Sequence, residues 1–153
     1  MDDFALTPAE RLLFESLDRR GVRFIIVGMG AAVLEGAPLA TQDLDIWIER
    51  FDDDRVRLAA GDAGGFWVSG FGRQPPGFGG AGLERVDVVL TAPGLESFQA
   101  EYGRSLEREV DGIRLRVLPL ERVIASKKTV NRVKDQAQLP ALEATLLAKR
   151  NPG

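Results

Sequence analysis

The sequence predicts an α+β (α/β) domain: a mixed β-sheet flanked by helices, with further helices closing its C-terminal part. Three observations carry this. Short β-rich apolar runs alternate with helix-period stretches, a strong hairpin signal at Asp111-Gly112 follows them, and residues 119–148 read as helix. At 153 residues the chain is long enough for one domain with a real core and too short for two, so a single domain spanning 1–153 is expected.

Thr7-Pro8-Ala9-Glu10 is a capping box with proline at the first helical position; Leu12, Leu13, Phe14 and Leu17 continue the helix and Gly21 stops it. Arg23 to Val27 is too short an apolar run for a helix and reads as a buried strand. Gly28-Met29-Gly30 then predicts a turn, and Ala31 to Glu35 a short helix closed by Gly36 and Pro38. Asp43 to Ile48 alternates, with Asp43, Asp45 and Trp47 on one face of a strand and Leu44, Ile46 and Ile48 on the other. Asp52 to Ala60 reads as an exposed helix. Gly64 to Gly82 holds eight glycines in nineteen residues, which predicts a strand around Phe66 to Ser69 followed by a long mobile loop. Glu84 to Leu90 is a strand, Leu95 to Tyr102 a short helix, and Leu106 to Val110 with Ile113 to Val117 a hairpin. Pro119 opens a helix to about Thr129, and Val133 to Ala148 continues helical with a bend or break near Pro140.

Composition narrows the chemistry. With no cysteine and no histidine, the chain has no disulfide, no thiolate or imidazole metal ligand, and no cysteine or Ser-His-Asp nucleophile. Any reaction must run on carboxylates, hydroxyls, Lys, Arg and a hard metal ion. The N-terminus has no basic region followed by an apolar core, and no run approaches the length of a membrane span, so a cytoplasmic protein without membrane contact is expected. Residues 121–153 carry a net +4 against −7 on the rest, a basic segment that can attract phosphate or simply form a solvated helix face.

Three acids occupy strand positions that favour apolar residues: Asp43 and Asp45 on one strand, Asp87 on another. Strand acids can be edge-protecting charges or turn residues. If the two strands are neighbours, however, the three form a cluster of hard oxygen ligands suited to Mg2+ or Mn2+, ions that also take phosphate oxygens. Backbone N–H groups at Gly28, Met29 and Gly30, at the start of a helix, could cradle a triphosphate from the other side. Gly28 and Gly30 also begin a dinucleotide-binding pattern, but Val33 occupies its third glycine position.

Residues 24–48, an apolar strand, a glycine turn, and then Asp43-Leu44-Asp45 between apolar residues, resemble the signature of the polymerase-beta-like nucleotidyltransferases. The Gly36 to Asp45 segment is similar to the Gly-x-Pro-x-x-Thr-x-Asp-x-Asp of small bacterial members related to toxin-antitoxin and phage-defence nucleotidyltransferases. Val86-Asp87-Val88-Val89 resembles the strand bearing the third carboxylate, and Ser126-Lys127-Lys128 with Arg132-Val133-Lys134-Asp135 the closing helices. The resemblance implies a metal-dependent transfer of a nucleoside monophosphate from a nucleoside triphosphate to a hydroxyl of RNA, protein or a small molecule. It further implies that Asp43, Asp45 and Asp87 hold Mg2+ or Mn2+, with Asp87 at or near the base for the acceptor. Gly28, Met29, Gly30, Thr41, Lys127, Lys128 and Arg132 would bind nucleotide, with Lys134 also meeting phosphate or acceptor. Two departures, Met29 for the usual Gly or Ser and Leu39 where relatives often carry Arg, leave open a non-catalytic nucleotide-binding or toxin-antitoxin module with a partner chain such as an antitoxin.

Overall fold

The computed structural model describes residues 4–50, 54–70 and 73–151. In chain order the elements are α1 (Pro8–Arg19), β1 (Phe24–Val27), α2 (Gly28–Leu34), β2 (Leu44–Ile48), α3 (Asp54–Asp62), β3 (Phe66–Val68), β4 (Gly77–Gly79), β5 (Val86–Val89), α4 (Phe98–Arg104), β6 (Leu106–Val110), β7 (Ile113–Val117), α5 (Leu120–Val130) and α6 (Val133–Arg150). Five strands form a mixed sheet in the order β5-β2-β1-β7-β6. β1 runs antiparallel to β2 and parallel to β7, β2 runs parallel to β5, and β6 and β7 form an antiparallel hairpin.

Register decides what faces what. Ile26 pairs with Ile46 and Val27 with Asp45, while across the next interface Leu44 pairs with Val86 and Asp45 with Asp87. Side chains in register share a face. Phe24, Ile26, Leu44, Ile46, Ile48 and Val86 therefore lie together on one face, and all are buried. α2 packs on that face: a Cβ added to Gly30 would lie 3.3 Å from Leu44 Cδ2, so the helix sits as close as glycine permits. The opposite face carries Val27, Asp45 and Asp87.

At the start of α1, Thr7 Oγ1 accepts from the Glu10 backbone N–H and Glu10 Oε1 accepts from Thr7 N–H, the capping box the sequence predicts. Glu10 is fully buried and also accepts from Arg85 Nε at 2.7 Å and Nη2 at 2.8 Å. This pair ties α1 to the residue that leads into β5. The Asp111-Gly112 turn has φ of 50° and 81°, the two left-handed residues a tight hairpin requires.

Three expectations are corrected. Gly28-Met29-Gly30 is not a separate turn but the first turn of α2, because Gly28 at φ 63° takes the chain from strand into helix within one residue. The segment after the expected strand at Phe66 to Ser69 is not only a loop: it supplies β4, which pairs antiparallel with β3, with Trp67 opposite Phe78 and their rings 4.8 Å apart, and Phe66 lies over Gly79. α6 runs unbroken through Pro140, which forfeits one N–H donor while buried Leu142 and partly buried Leu139 and Leu146 keep the helix on the core. The helix expected from Asp52 is seen from Asp54, Asp52 itself lying outside the described residues. Among the described residues no helix is long and apolar enough to cross a membrane.

Glu10→Ala removes the acceptor of both the cap and the partly exposed Arg85, and is expected to lower unfolding free energy by about 2 kcal/mol in denaturant titrations. Arg57→Ala, which breaks an ion pair to Asp54 between exposed side chains, is expected to leave the midpoint unchanged.

Candidate active site

β2 and β5 are parallel neighbours, and Asp45 and Asp87 are in register across them. The two carboxylates therefore project from the same face of adjacent strands. Asp43 lies immediately before β2, two residues from Asp45, and its backbone N–H donates to Thr41 Oγ1, which in turn donates to the Asp43 carbonyl. The Thr41 hydroxyl is thus spent on shaping the loop that presents Asp43. Gly28 sits directly beneath Asp45: a Cβ there would lie 2.6 Å from Asp45 Oδ2, and its φ of 63° disfavours any other residue.

The electrostatics follow from this crowding. Asp45 is raised above the ordinary aspartate range, first by burial and then by repulsion from Asp87 and Asp43, while Lys127 and Lys134 pull it back. Asp87 is raised too, by partial desolvation and by Asp43. As placed, no three acidic side chains among the described residues converge closely enough to hold a metal ion. The backbone nonetheless sets Asp45 and Asp87 on one face of neighbouring strands. The donor set, carboxylate oxygens without sulfur or nitrogen, fits Mg2+ or Mn2+.

Asp45 and Asp43 open into a cavity of about 370 Å3, within the range of small-molecule sites. The first turn of α2 (Gly28 and Met29), Thr41, Lys127, Arg132, Lys134 and Asp135 share its wall. Val27, the N-cap of α2, makes no side-chain cap, so the first N–H groups of the helix are left without such a partner. Asp87 stands beside Asp45 without lining the cavity. Gly30 does not reach it either, packing instead against Leu44 on the other face. Met29 packs partly on the core as it lines the cavity, while Leu39 packs on the core away from it.

The two lysines of α5 part company. Lys127 is buried and donates to Asp135 Oδ1 at 3.2 Å and Gln138 Oε1 at 2.8 Å. Lys128, one residue on, points out of the cavity to an ion pair with Glu143. The sequence places Asp135 in the Arg132-Val133-Lys134-Asp135 motif without a role; it is fully buried and accepts from Lys127 Nζ, from Arg132 N–H at 3.0 Å and from Arg132 Nε at 2.8 Å. Its spacing from Arg132, that of a helix-capping acid, was the available signal. The bonds from Arg132 and then Lys127 hold the Asp135 carboxyl well below the usual range.

With this geometry in hand, three solved structures align with nearly the whole chain. The crystal structure of ANT(2'')-Ia in complex with adenylyl-2''-tobramycin superposes at TM-score 0.60 and 15% identity, covering 91% of this chain and 88% of that one. The solution structure of the antibiotic-resistance factor ANT(2'')-Ia gives 0.59 and 14%, covering 94% and 90%. A nucleotidyltransferase-like protein from Paracoccidioides brasiliensis gives 0.53 and 16%, covering 93% and 86%. The fold is that of the nucleotidyltransferases. No protein-family profile matches the chain, and no curated protein matches it by sequence. On the nucleotidyltransferase fold shared with these structures, the in-register acids of β2 and β5 lie beside a cavity whose wall also carries Lys127, Arg132 and Lys134.

A depressed carboxylate contributes stability above its unfolded pKa of about 3.9 and loses it as pH falls toward the folded value. Asp135→Asn is therefore expected to melt below wild type at neutral pH, with the gap narrowing below about pH 4. Melts across that range check it; a gap independent of pH contradicts it.

Proposed function

We propose that this chain is a metal-dependent nucleotidyltransferase that moves a nucleoside monophosphate from a nucleoside triphosphate to a hydroxyl acceptor. The observation that carries the proposal is the register of Asp45 with Asp87 on parallel neighbouring strands, with Asp43 two residues away. On the nucleotidyltransferase fold, an acidic face opposite a basic helical wall is a place for a triphosphate.

Asp43, Asp45 and Asp87 would hold the divalent cation, whose chemistry there is to neutralise phosphate charge and make the acceptor hydroxyl more acidic. The protein's own groups do the rest. Lys127, kept in the cavity wall by Asp135 and Gln138, and Arg132 and Lys134 at its rim, attract and orient the phosphates. The first N–H groups of α2 face the same anions. In the transfer, the acceptor oxygen forms a bond to the α-phosphorus as the bond from that phosphorus to the bridging α–β oxygen breaks, and pyrophosphate leaves. The hydroxyl proton passes to a carboxylate, and we assign that role to Asp87, which is exposed and in register with Asp45. The likeness to a structure holding adenylyl-2''-tobramycin, together with a cavity of about 370 Å3, favours a small-molecule hydroxyl as acceptor.

Incubation with Mg2+ or Mn2+, labelled nucleoside triphosphates and a panel of aminoglycosides, transfer RNA and protein is expected to yield a labelled acceptor. Asp45→Asn is expected to lower that transfer by about 100-fold or more, the scale for losing one group that stabilises charge in a transition state. Gly28→Ala, which drives a methyl against Asp45 Oδ2, is expected to lower it as well. Transfer that is absent, or equal in Asp45→Asn, overturns the proposal.

A further inference from the structure

The cavity is divided by charge. Every ionisable side chain on its wall comes from the acid strand and the α5–α6 corner: Asp43, Asp45, Lys127, Arg132, Lys134 and Asp135. The end of β5, the segment after it and the end of β7 contribute none: Val89, Thr91, Pro93, Leu95 and Leu118 line the cavity there.

The geometry of α5 sets Ser126 on this neutral side. Ser126 lines the cavity with Val123 and Val130, three and four residues away on α5, whereas Lys127 turns to Asp135 and Gln138 of α6. Gly94 fixes where the neutral wall meets that side of α5. Its φ is 78°, and a Cβ there would strike the Thr129 hydroxyl and lie 2.9 Å from the Ala125 carbonyl oxygen, so the 91–95 segment is seated against the helix with no room to spare. Thr91 and Ser126 are the two hydroxyls of the neutral half, and among the described residues neither has a hydrogen-bond partner within the protein. Thr41 and Gln138, by contrast, are already engaged to Asp43 and Lys127.

A ligand matching this division has one strongly anionic end and one flat, apolar end with donors and acceptors at its edge. Resting on the reading of the charged half as the triphosphate site, we propose that the neutral half is the nucleobase slot, and that the Thr91 and Ser126 hydroxyls select the base. Apolar walls accept the faces of the ring. Each hydroxyl can donate and accept, so the pair reads the pattern at the base edge and leaves the phosphates to the cationic side.

Calorimetric binding of ATP, GTP, CTP and UTP in the presence of Mn2+ tests this with the whole chain. Wild type is expected to prefer one base. The Thr91→Val, Ser126→Ala double variant, which removes the hydroxyls at nearly constant shape, is expected to compress that preference by about 5-fold to 10-fold, the scale of one or two lost hydrogen bonds. Lys127→Ala is expected to weaken all four nucleotides alike. Equal affinity of wild type for all four bases, or an unchanged ranking in the double variant, overturns the base slot and leaves the triphosphate reading standing. Weaker acceptor binding in the double variant with nucleotide preference intact assigns the neutral half to the acceptor instead and also overturns it. No nucleotide bound by wild type removes the triphosphate reading and this inference together.

Discussion

The structure turns on the repulsion between acids that the sheet forces into register. Asp45 is partly buried, faces Asp87 across a parallel strand pair and has Asp43 two residues away, so its ionised form is disfavoured from every side except that of Lys127 and Lys134. A strand position holding a charge under those conditions lowers the stability of the bare fold, and the burden is relieved only by positive charge brought to the same face. Much of the molecule can be understood as an arrangement that supplies it. The opposite face of the same strands is apolar and, apart from partly buried Val88, buried, which opposes a register slip that would move the acids apart.

On the cationic side, one carboxylate organises the wall. Asp135 is fully buried yet ionised, because Arg132 and Lys127 both donate to it across the corner between α5 and α6. That corner is made by Asn131, the C-cap of α5 at φ 56°, a left-handed conformation that asparagine tolerates better than most residues. One buried acid shared by two cations leaves surplus positive charge at the cavity rim, joined there by Lys134. The same clamp holds α6 on α5, so cavity and fold are secured by the same bonds.

What the sequence disclosed divides along physical lines. The capping box at Thr7, the Asp111-Gly112 hairpin and the alternation around Asp45 are written in local spacing, and each is seen in the structure. That Asp87 stands beside Asp45 is a fact of pairing between strands distant in the chain, which spacing cannot show. Lys127 and Lys128 are indistinguishable as neighbours in sequence, yet one step of a helix sends one into the cavity and the other to Glu143. β4 was hidden by its glycines, since Phe78 is its only large side chain and its pairing rests on Trp67 and Phe66 from the other strand. Asp135 was legible as a helix-capping acid, but its burial against Lys127 depends on how α5 meets α6.

The most direct measurement is thermal unfolding of wild type, Asp45→Asn and Asp87→Asn, each with and without Mn2+. If the in-register acids share an ion, both variants melt above wild type in metal-free buffer because a repelling charge is gone, and Mn2+ raises the melting temperature of wild type alone. Wild type indifferent to Mn2+, or a rise of equal size in all three proteins, would contradict the account.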